Sequence, residues 1–265
     1  MFKIMTLDGR ANRQRPAIEP LPQASLDVLC CHSITSSRTD NGDPTRVLAT
    51  ALGMTSSCFA ASRRQPATTG RLVPAIRGLA ILTGASVWML NSGSFPLPGD
   101  QEAEDGVAQF GLIRKDNASV LILNCQLATS AASQQRQLCA LFSHPLLKEQ
   151  YGAVVLAADQ QIVLAAKKIR PLTLGSNYRL RHSLTAVSPG PVEGMLCLLA
   201  AREAAAMVSV RAAGTLPGGY RSGRTGHRLE FEVERIAPDP KHRLSMPLSF
   251  REQWLGGREH RAFAA

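Results

Sequence analysis

Residues Val107 to Arg170 carry the clearest pattern of apolar and polar positions in the chain, and they predict strand, strand, helix, strand, strand. Within them, Asn117–Leu127 (NASVLILNCQL) holds the unbroken run Val120, Leu121, Ile122, Leu123. A strand with one wet face alternates, so this run predicts a strand covered on both sides. Between Thr129 and Ser143 the period changes. Leu138, Leu141 and Phe142 fall three and four apart, on one face of a helix that Thr129 or Ser130 caps and Pro145 ends. Ala153–Ala158 and Gln161–Ala166 predict two short strands joined around Asp159-Gln160.

Further on, Tyr178, Leu180, His182 and Leu184 alternate with Arg179, Arg181, Ser183 and Thr185, a half-buried strand with a basic outer face. Val192–Val208 (VEGMLCLLAAREAAAMV) is rich in Ala and Leu and predicts a buried helix with Arg202 and Glu203 outside. Leu229, Phe231 and Val233 alternate with Glu230, Glu232 and Glu234 in one strand, and Leu244–Phe250 forms another. Pro247 places that second strand on a sheet edge, and Arg251–Ala265 reads as a tail.

The first part of the chain lacks such periods. Residues 1–70 mix Pro, Ser, Thr, Asn and Arg around short apolar islands at Leu26–Cys31 and Val47–Leu52, which predicts a weakly ordered leader. Leu72–Leu90 (LVPAIRGLAILTGASVWML) has the length of a membrane span, with arginines before it and an acidic cluster after it. Arg77 inside the run costs roughly 2.5–3.5 kcal/mol on insertion scales, which favours a buried element over a single inner-membrane span. Asn91–Gly106 reads as a linker and a domain boundary. The expected fold class is therefore α+β: a mainly antiparallel sheet with two helices over residues 107–265. It is preceded by the 1–70 leader and the 71–106 apolar segment with its acidic linker.

Charge sharpens this picture. Thirty Lys/Arg against twenty Asp/Glu give a net charge of +10. Residues 1–106 contribute 10 − 9 = +1, residues 107–170 contribute 7 − 3 = +4, and residues 171–265 contribute 13 − 8 = +5. A basic surface there suits phosphates, nucleic acid, anionic lipid or an acidic protein. The Gly214–Arg228 segment (GTLPGGYRSGRTGHR) is the candidate binding loop. Arg221, Arg224, His227 and Arg228 punctuate glycines there, Tyr220 offers a ring to stack on a base, and Arg179 and Arg181 extend the patch if their strand lies alongside.

Catalytic and cofactor motifs are missing: there is no phosphate loop, dinucleotide fingerprint, nucleophile elbow or zinc spacing, and no cofactor is expected. The six cysteines show no CxxC pair and read as free thiols in a reducing, cytoplasmic compartment. Cys31 and His32 are neighbours whose side chains leave a strand in different directions, so they do not make a nucleophile–base pair by themselves.

The phrases LCALFSHPLL and YGAVVLAADQQIVLAAKKI, with the strand–strand–helix–strand–strand order of Gly111–Ile169, resemble one half of class I type III secretion chaperones. That resemblance implies a helix followed by a final hairpin and a role as a secretion accessory. The leading expectation is a non-enzymatic binding or adaptor protein whose basic C-terminal third meets an acidic partner, nucleic acid ahead of protein or membrane. A membrane-anchored secretion or envelope component and an enzyme with a site assembled from distant residues are the alternatives. For the enzyme, a pocket pairing His182 or His144 with a carboxylate is the feature to look for.

Overall fold

The Val120–Leu123 run is buried on both faces, as its composition demands, because it lies inside one of two stacked six-stranded sheets. The computed structural model describes residues 1–8, 26–36, 44–64, 76–99, 106–128, 130–158, 176–185, 195–201, 206–216 and 226–235. The first sheet takes β1 (Phe2–Asp8), β2 (Val28–Ser36), β3 (Ser56–Arg64), β4 (Ile76–Thr83), β11 (Ala206–Leu216) and β12 (Gly226–Arg235) in the order β11-β12-β1-β2-β4-β3. The second takes β5 (Trp88–Leu97), β6 (Gly106–Lys115), β7 (Ala118–Gln126), β8 (Ala153–Ala158), β9 (Tyr178–Thr185) and β10 (Met195–Ala201) in the order β5-β6-β7-β8-β10-β9. Each sheet contains one parallel pair, β1 with β2 and β7 with β8, among antiparallel neighbours.

The layers follow from which residues each strand turns inward. One apolar cluster draws Phe2, Ile4, Val28, Cys30, Ile81 and Phe231 from the first sheet together with Ile113, Val120, Ile122, Val155 and Leu198 from the second, so it is the core between the sheets. Behind the second sheet, Phe110, Leu121, Leu123, Leu156 and Leu199 pack under α2 (Ala131–Ser143) through Leu138, Leu141 and Phe142. Behind the first, Met5, Leu29, Ala80 and Leu82 pack under α1 (Pro44–Ala51) through Ala49. Helix α2 starts as expected: the Ser130 side chain accepts from the Ser133 N–H, and a 3-10 turn with Pro145 at its start ends the helix.

Several expectations are corrected here. The α+β class gives way to a mostly β two-sheet sandwich, with two short α-helices among the described residues. Phe2–Asp8 and Val28–Ser36 are central strands of the first sheet, so the start of the chain is not a weakly ordered leader where it is described. Their apolar runs are too short to show a clear period, and β12, the partner of β1, lies more than two hundred residues away in sequence. The Val192–Val208 helix is also wrong. Met195–Ala201 and the start of β11 are strands in different sheets, because burial of Leu196–Ala200 on both faces outweighs the weak helix preference of Ala and Leu.

The Leu72–Leu90 run is divided between β4 in one sheet and the start of β5 in the other. No helix among the described residues is long and apolar enough to cross a membrane. The chaperone-like hairpin does not form as expected either. β8 lies parallel to β7, its antiparallel neighbour is β10, and residues 161–166 lie outside the described ones. The second C-terminal strand expected at 244–250 also lies outside them.

Candidate functional site

The space between the sheets has two different ends. At one end Asp27, fully buried at the start of β2, receives the Lys115 ammonium at the end of β6 at 2.7 Å and 2.9 Å. The Lys3 N–H (2.8 Å) and the Ser86 hydroxyl also donate to it. A buried carboxylate is tolerable only when so fully paired. The short connections Gly84–Val87 and Asp116–Asn117 lie at this pole, with Asp116 at φ 51 in the left-handed region that two-residue hairpin loops require.

At the other end the carboxyl ends of both parallel pairs come together. Asp8 stands opposite His32 in the β1–β2 register, and Cys125 opposite Ala158 in β7–β8. A contact between the sheets fixes this alignment: the Asn124 amide of β7 donates to the carbonyls of Cys31 (3.2 Å) in β2 and Ala80 (3.0 Å) in β4. Between Cys31 and Ile34 the β2–β4 register shifts. A bulge leaves backbone groups without their ladder partners, and Asn124 supplies a donor at its edge.

The inward-facing residues change character on approaching this pole. Along β1 the sequence Phe2, Ile4 leads to Thr6; along β2, Val28, Cys30 leads to His32. Along β7, Val120, Ile122 leads to Asn124; along β6, Ile113 leads back to Gln109. All four polar residues are buried, His32 being 3% exposed. The Gln109 Oε1 accepts from the Asn124 Nδ2 (3.3 Å), and its Nε2 donates to the Cys58 carbonyl (2.9 Å) and sulfur (3.3 Å). The Asn124 Oδ1 meets no hydrogen-bond partner among the described residues.

Burial disfavours the thiolate form at two cysteines near it. Burial, together with Cys31, Cys58 and Cys125 nearby, pushes the Cys30 thiol well above its usual range, and burial pushes Cys31 up to about 12. Among the cysteines Cys139 is exposed, Cys58 is half-buried and the other four are buried. Among the described residues no three His, Cys, Asp or Glu side chains gather closely enough to hold a metal ion.

The residues singled out from sequence divide between the ends. Tyr220, Arg221 and Arg224 lie outside the described residues, but the chain leaves at Leu216 and returns at Gly226, which pair in register, at the same pole as His32. His227 belongs to β12 directly beyond Arg228, which stands opposite Met5, so its backbone is at this pole too. The side chain of Arg228 is bound by Glu230, on the opposite face from Leu229 and Phe231. Arg179 and Arg181 are exposed near the start of β9, towards the other end. Of the histidines proposed for an enzyme, His144 caps the 3-10 turn by accepting from the Leu146 N–H (3.3 Å) and stacks on Phe95. His182 lies opposite Leu198, and its Nε2 is buried with no hydrogen-bond partner among the described residues. Neither is shown beside a carboxylate. The polar set Thr6, His32, Gln109 and Asn124 was missed. Its signal in the sequence is slight: a polar residue on the inward parity just where each apolar run ends.

No protein-family model matches the chain, and no curated protein does. Solved structures match its fold. An endonuclease/exonuclease/phosphatase family protein from Bacteroides thetaiotaomicron superposes with a TM-score of 0.60 at 9% identity, covering 89% of this chain and 98% of that one. One from Leptotrichia buccalis C-1013-b gives 0.59 at 10% identity, covering 88% and 100%. TDP2 from D. rerio, in complex with a single-strand DNA product, gives 0.56 at 12% identity, covering 87% and 98%. The chain therefore has the two-sheet fold of these proteins. Against the expectation of a non-enzymatic adaptor, membrane-associated or chaperone-like, the solved structures that share this fold are endonuclease/exonuclease/phosphatase family proteins and TDP2.

Proposed function

We propose that this protein is a hydrolase of phosphoester bonds with nucleic acid as its substrate class, working at the pole where β1, β2, β7 and β8 end. The observation that carries this reading is the change of the inter-sheet core from apolar to polar at that pole, in a fold shared with endonuclease/exonuclease/phosphatase family proteins. Stability alone favours apolar filling throughout, so a buried His-Asn-Gln-Thr set at one end points to use. Two further features support the substrate. The +10 charge draws polyanions, and the segment holding Tyr220, Arg221 and Arg224 is tethered between Leu216 and Gly226 at the same pole. The TDP2 neighbour is complexed with a single-strand DNA product.

In the chemistry proposed, water attacks phosphorus while a base takes its proton and cationic groups meet the charge on the phosphoryl oxygens. His32 is the described residue suited to the proton, since imidazole titrates nearest neutrality. Asp8, opposite it in register, is a carboxylate-bearing neighbour on the adjoining strand. The arginines at 221 and 224 and His227 are the proposed phosphate contacts, with Tyr220 as the base-stacking ring. Divalent metals serve many phosphoryl-transfer enzymes, but the described side chains do not form a metal site, and no step here passes through one.

The test is turnover by the full chain on bis(p-nitrophenyl) phosphate, p-nitrophenyl phosphate and fluorescently labelled single-stranded DNA and RNA. Each substrate is run with and without added magnesium or manganese. Hydrolysis of a diester or of nucleic acid, weakening steeply between 50 and 200 mM salt as expected for about six or more phosphate contacts, supports the reading. No turnover on any substrate in any condition overturns it.

A further inference from the structure

Gln109 of β6 and Asn124 of β7 stand directly opposite in the antiparallel register, so their side chains leave the second sheet on one face, towards the first. Both are buried. Nearer the middle of the sandwich the opposed pairs on that face are Ile113 with Val120 and Gly111 with Ile122, and the change to Gln with Asn falls at the level that meets Cys31. Together the two amides reach three neighbouring strands of the first sheet, in the order β2-β4-β3. The Asn124 Nδ2 donates to Cys31 of β2 and Ala80 of β4, and the Gln109 Nε2 donates to Cys58 of β3.

An amide nitrogen carries two hydrogens, and three acceptors surround that of Asn124. They are the Ala80 carbonyl at 3.0 Å, the Cys31 carbonyl at 3.2 Å and the Gln109 Oε1 at 3.3 Å. The plane of the Asn124 amide is therefore a compromise among three pulls. Without Oε1 it turns to the two carbonyls alone, and that turn reaches His32 through covalent bonds. The Cys31 carbonyl and the His32 N–H belong to one planar peptide unit. This unit lies where the β2–β4 register shifts, between Cys31 and Ile34, so a regular ladder does not fix its orientation.

We propose that Gln109 is a positioning residue for His32, acting through Asn124 and the peptide that joins Cys31 to His32. Its effect on turnover rests on the hydrolase reading above, in which His32 moves the proton. Its effect on where His32 stands does not.

NMR of the full chain carrying isotope-labelled histidine, together with kinetics on bis(p-nitrophenyl) phosphate, tests both parts. The chain has six histidines, and the His32 amide signal is identified by its loss in His32→Ala. Gln109→Met keeps the length of the side chain and removes its hydrogen bonds, whereas Gln109→Glu keeps an oxygen facing Asn124. Circular dichroism checks the fold of each. In Gln109→Met the His32 signal should move towards its position in Asn124→Ala, and Gln109→Met/Asn124→Ala should add nothing to Asn124→Ala alone. Gln109→Glu should hold the signal nearer its wild-type position. In Gln109→Met kcat should fall about 10- to 100-fold while KM changes less than about twofold, because a misplaced group slows chemistry more than binding. A His32 signal that Gln109→Met leaves in place, or that Gln109→Glu moves as far as Asn124→Ala does, overturns the positioning. An unchanged kcat beside a moved signal overturns its consequence for turnover. A wild type with no turnover strikes the hydrolase reading, and the His32 signal still decides the positioning.

Discussion

The two poles of the sandwich hold their buried polar groups in opposite ways. At the Asp27 end the carboxylate collects an ammonium, a backbone N–H and a hydroxyl, and short turns lie beside it. At the His32 end the Asn124 amide spends its donors on backbone carbonyls beside a bulge and leaves an acceptor unmet among the described residues. The first arrangement serves to lock two sheets together. The second holds backbone in an irregular shape at the carboxyl ends of four strands, which is where a site is built when a scaffold has to present groups to a ligand. One fold thus spends polar burial on rigidity at one pole and, in the function proposed, on presentation at the other.

That contrast can be broken from its locked side first. Lys115→Met leaves Asp27 buried without its counter-ion, and stability in urea should fall by about 3–5 kcal/mol. Activity per folded molecule should stay unchanged, since the lesion lies at the far pole. In the apolar middle, Phe231→Ala removes a fully buried ring stacked on Phe2 at 5.4 Å and should also cost about 3–5 kcal/mol. Asn124→Ala strips the Cys31 and Ala80 carbonyls of their donor. Its stability cost should be smaller, about 1–3 kcal/mol, while hydrolysis should fall by more than the folded fraction explains. If Asn124→Ala left turnover per folded molecule untouched, the polar pole would be packing and nothing more.

The smallest effect concerns pH. Burial lowers the His144 pKa below its ordinary value of 6.5, since a charged imidazole under Phe95 is poorly solvated. The unfolded chain then binds the proton more readily than the folded one. The stability contribution of neutral His144 is present above pH 6.5 and is lost as pH falls below it. Comparing melting temperatures at pH 7.5 and pH 5.5 for wild type and His144→Gln should show a steeper decline in the wild type. Equal declines would remove His144 from the account.

How much of this the sequence disclosed depended on the range of the interactions involved. Helix α2 and strands β7 and β8 were legible because their periods and cap are local: Leu138, Leu141 and Phe142 at helical spacing, Ser130 at the N-cap, Pro145 after the end. The strand around Leu229, Phe231 and Val233 was legible by alternation. The sandwich was not. It depends on β1 finding β12 and on β4 and β5 parting into different sheets, and no period encodes which strands become neighbours. Val192–Val208 misled because an apolar run rich in Ala and Leu suits a buried helix and a two-sided strand equally well. Of the proposed site, the basic segment around Arg221 is a reading of composition that lies outside the described residues, whereas His32 and Asn124 gain meaning from a pairing between sheets that brings residues 31 and 124 together.

The direct measurement is kcat/KM for bis(p-nitrophenyl) phosphate or single-stranded DNA in His32→Ala against wild type, at matched folded fraction. Loss of a proton-moving group at the polar pole predicts a fall of about 100-fold or more, with Lys115→Met as the folded-but-active control at the opposite pole. Equal rates for His32→Ala and wild type would contradict the placement of the working site at the meeting of β1, β2, β7 and β8.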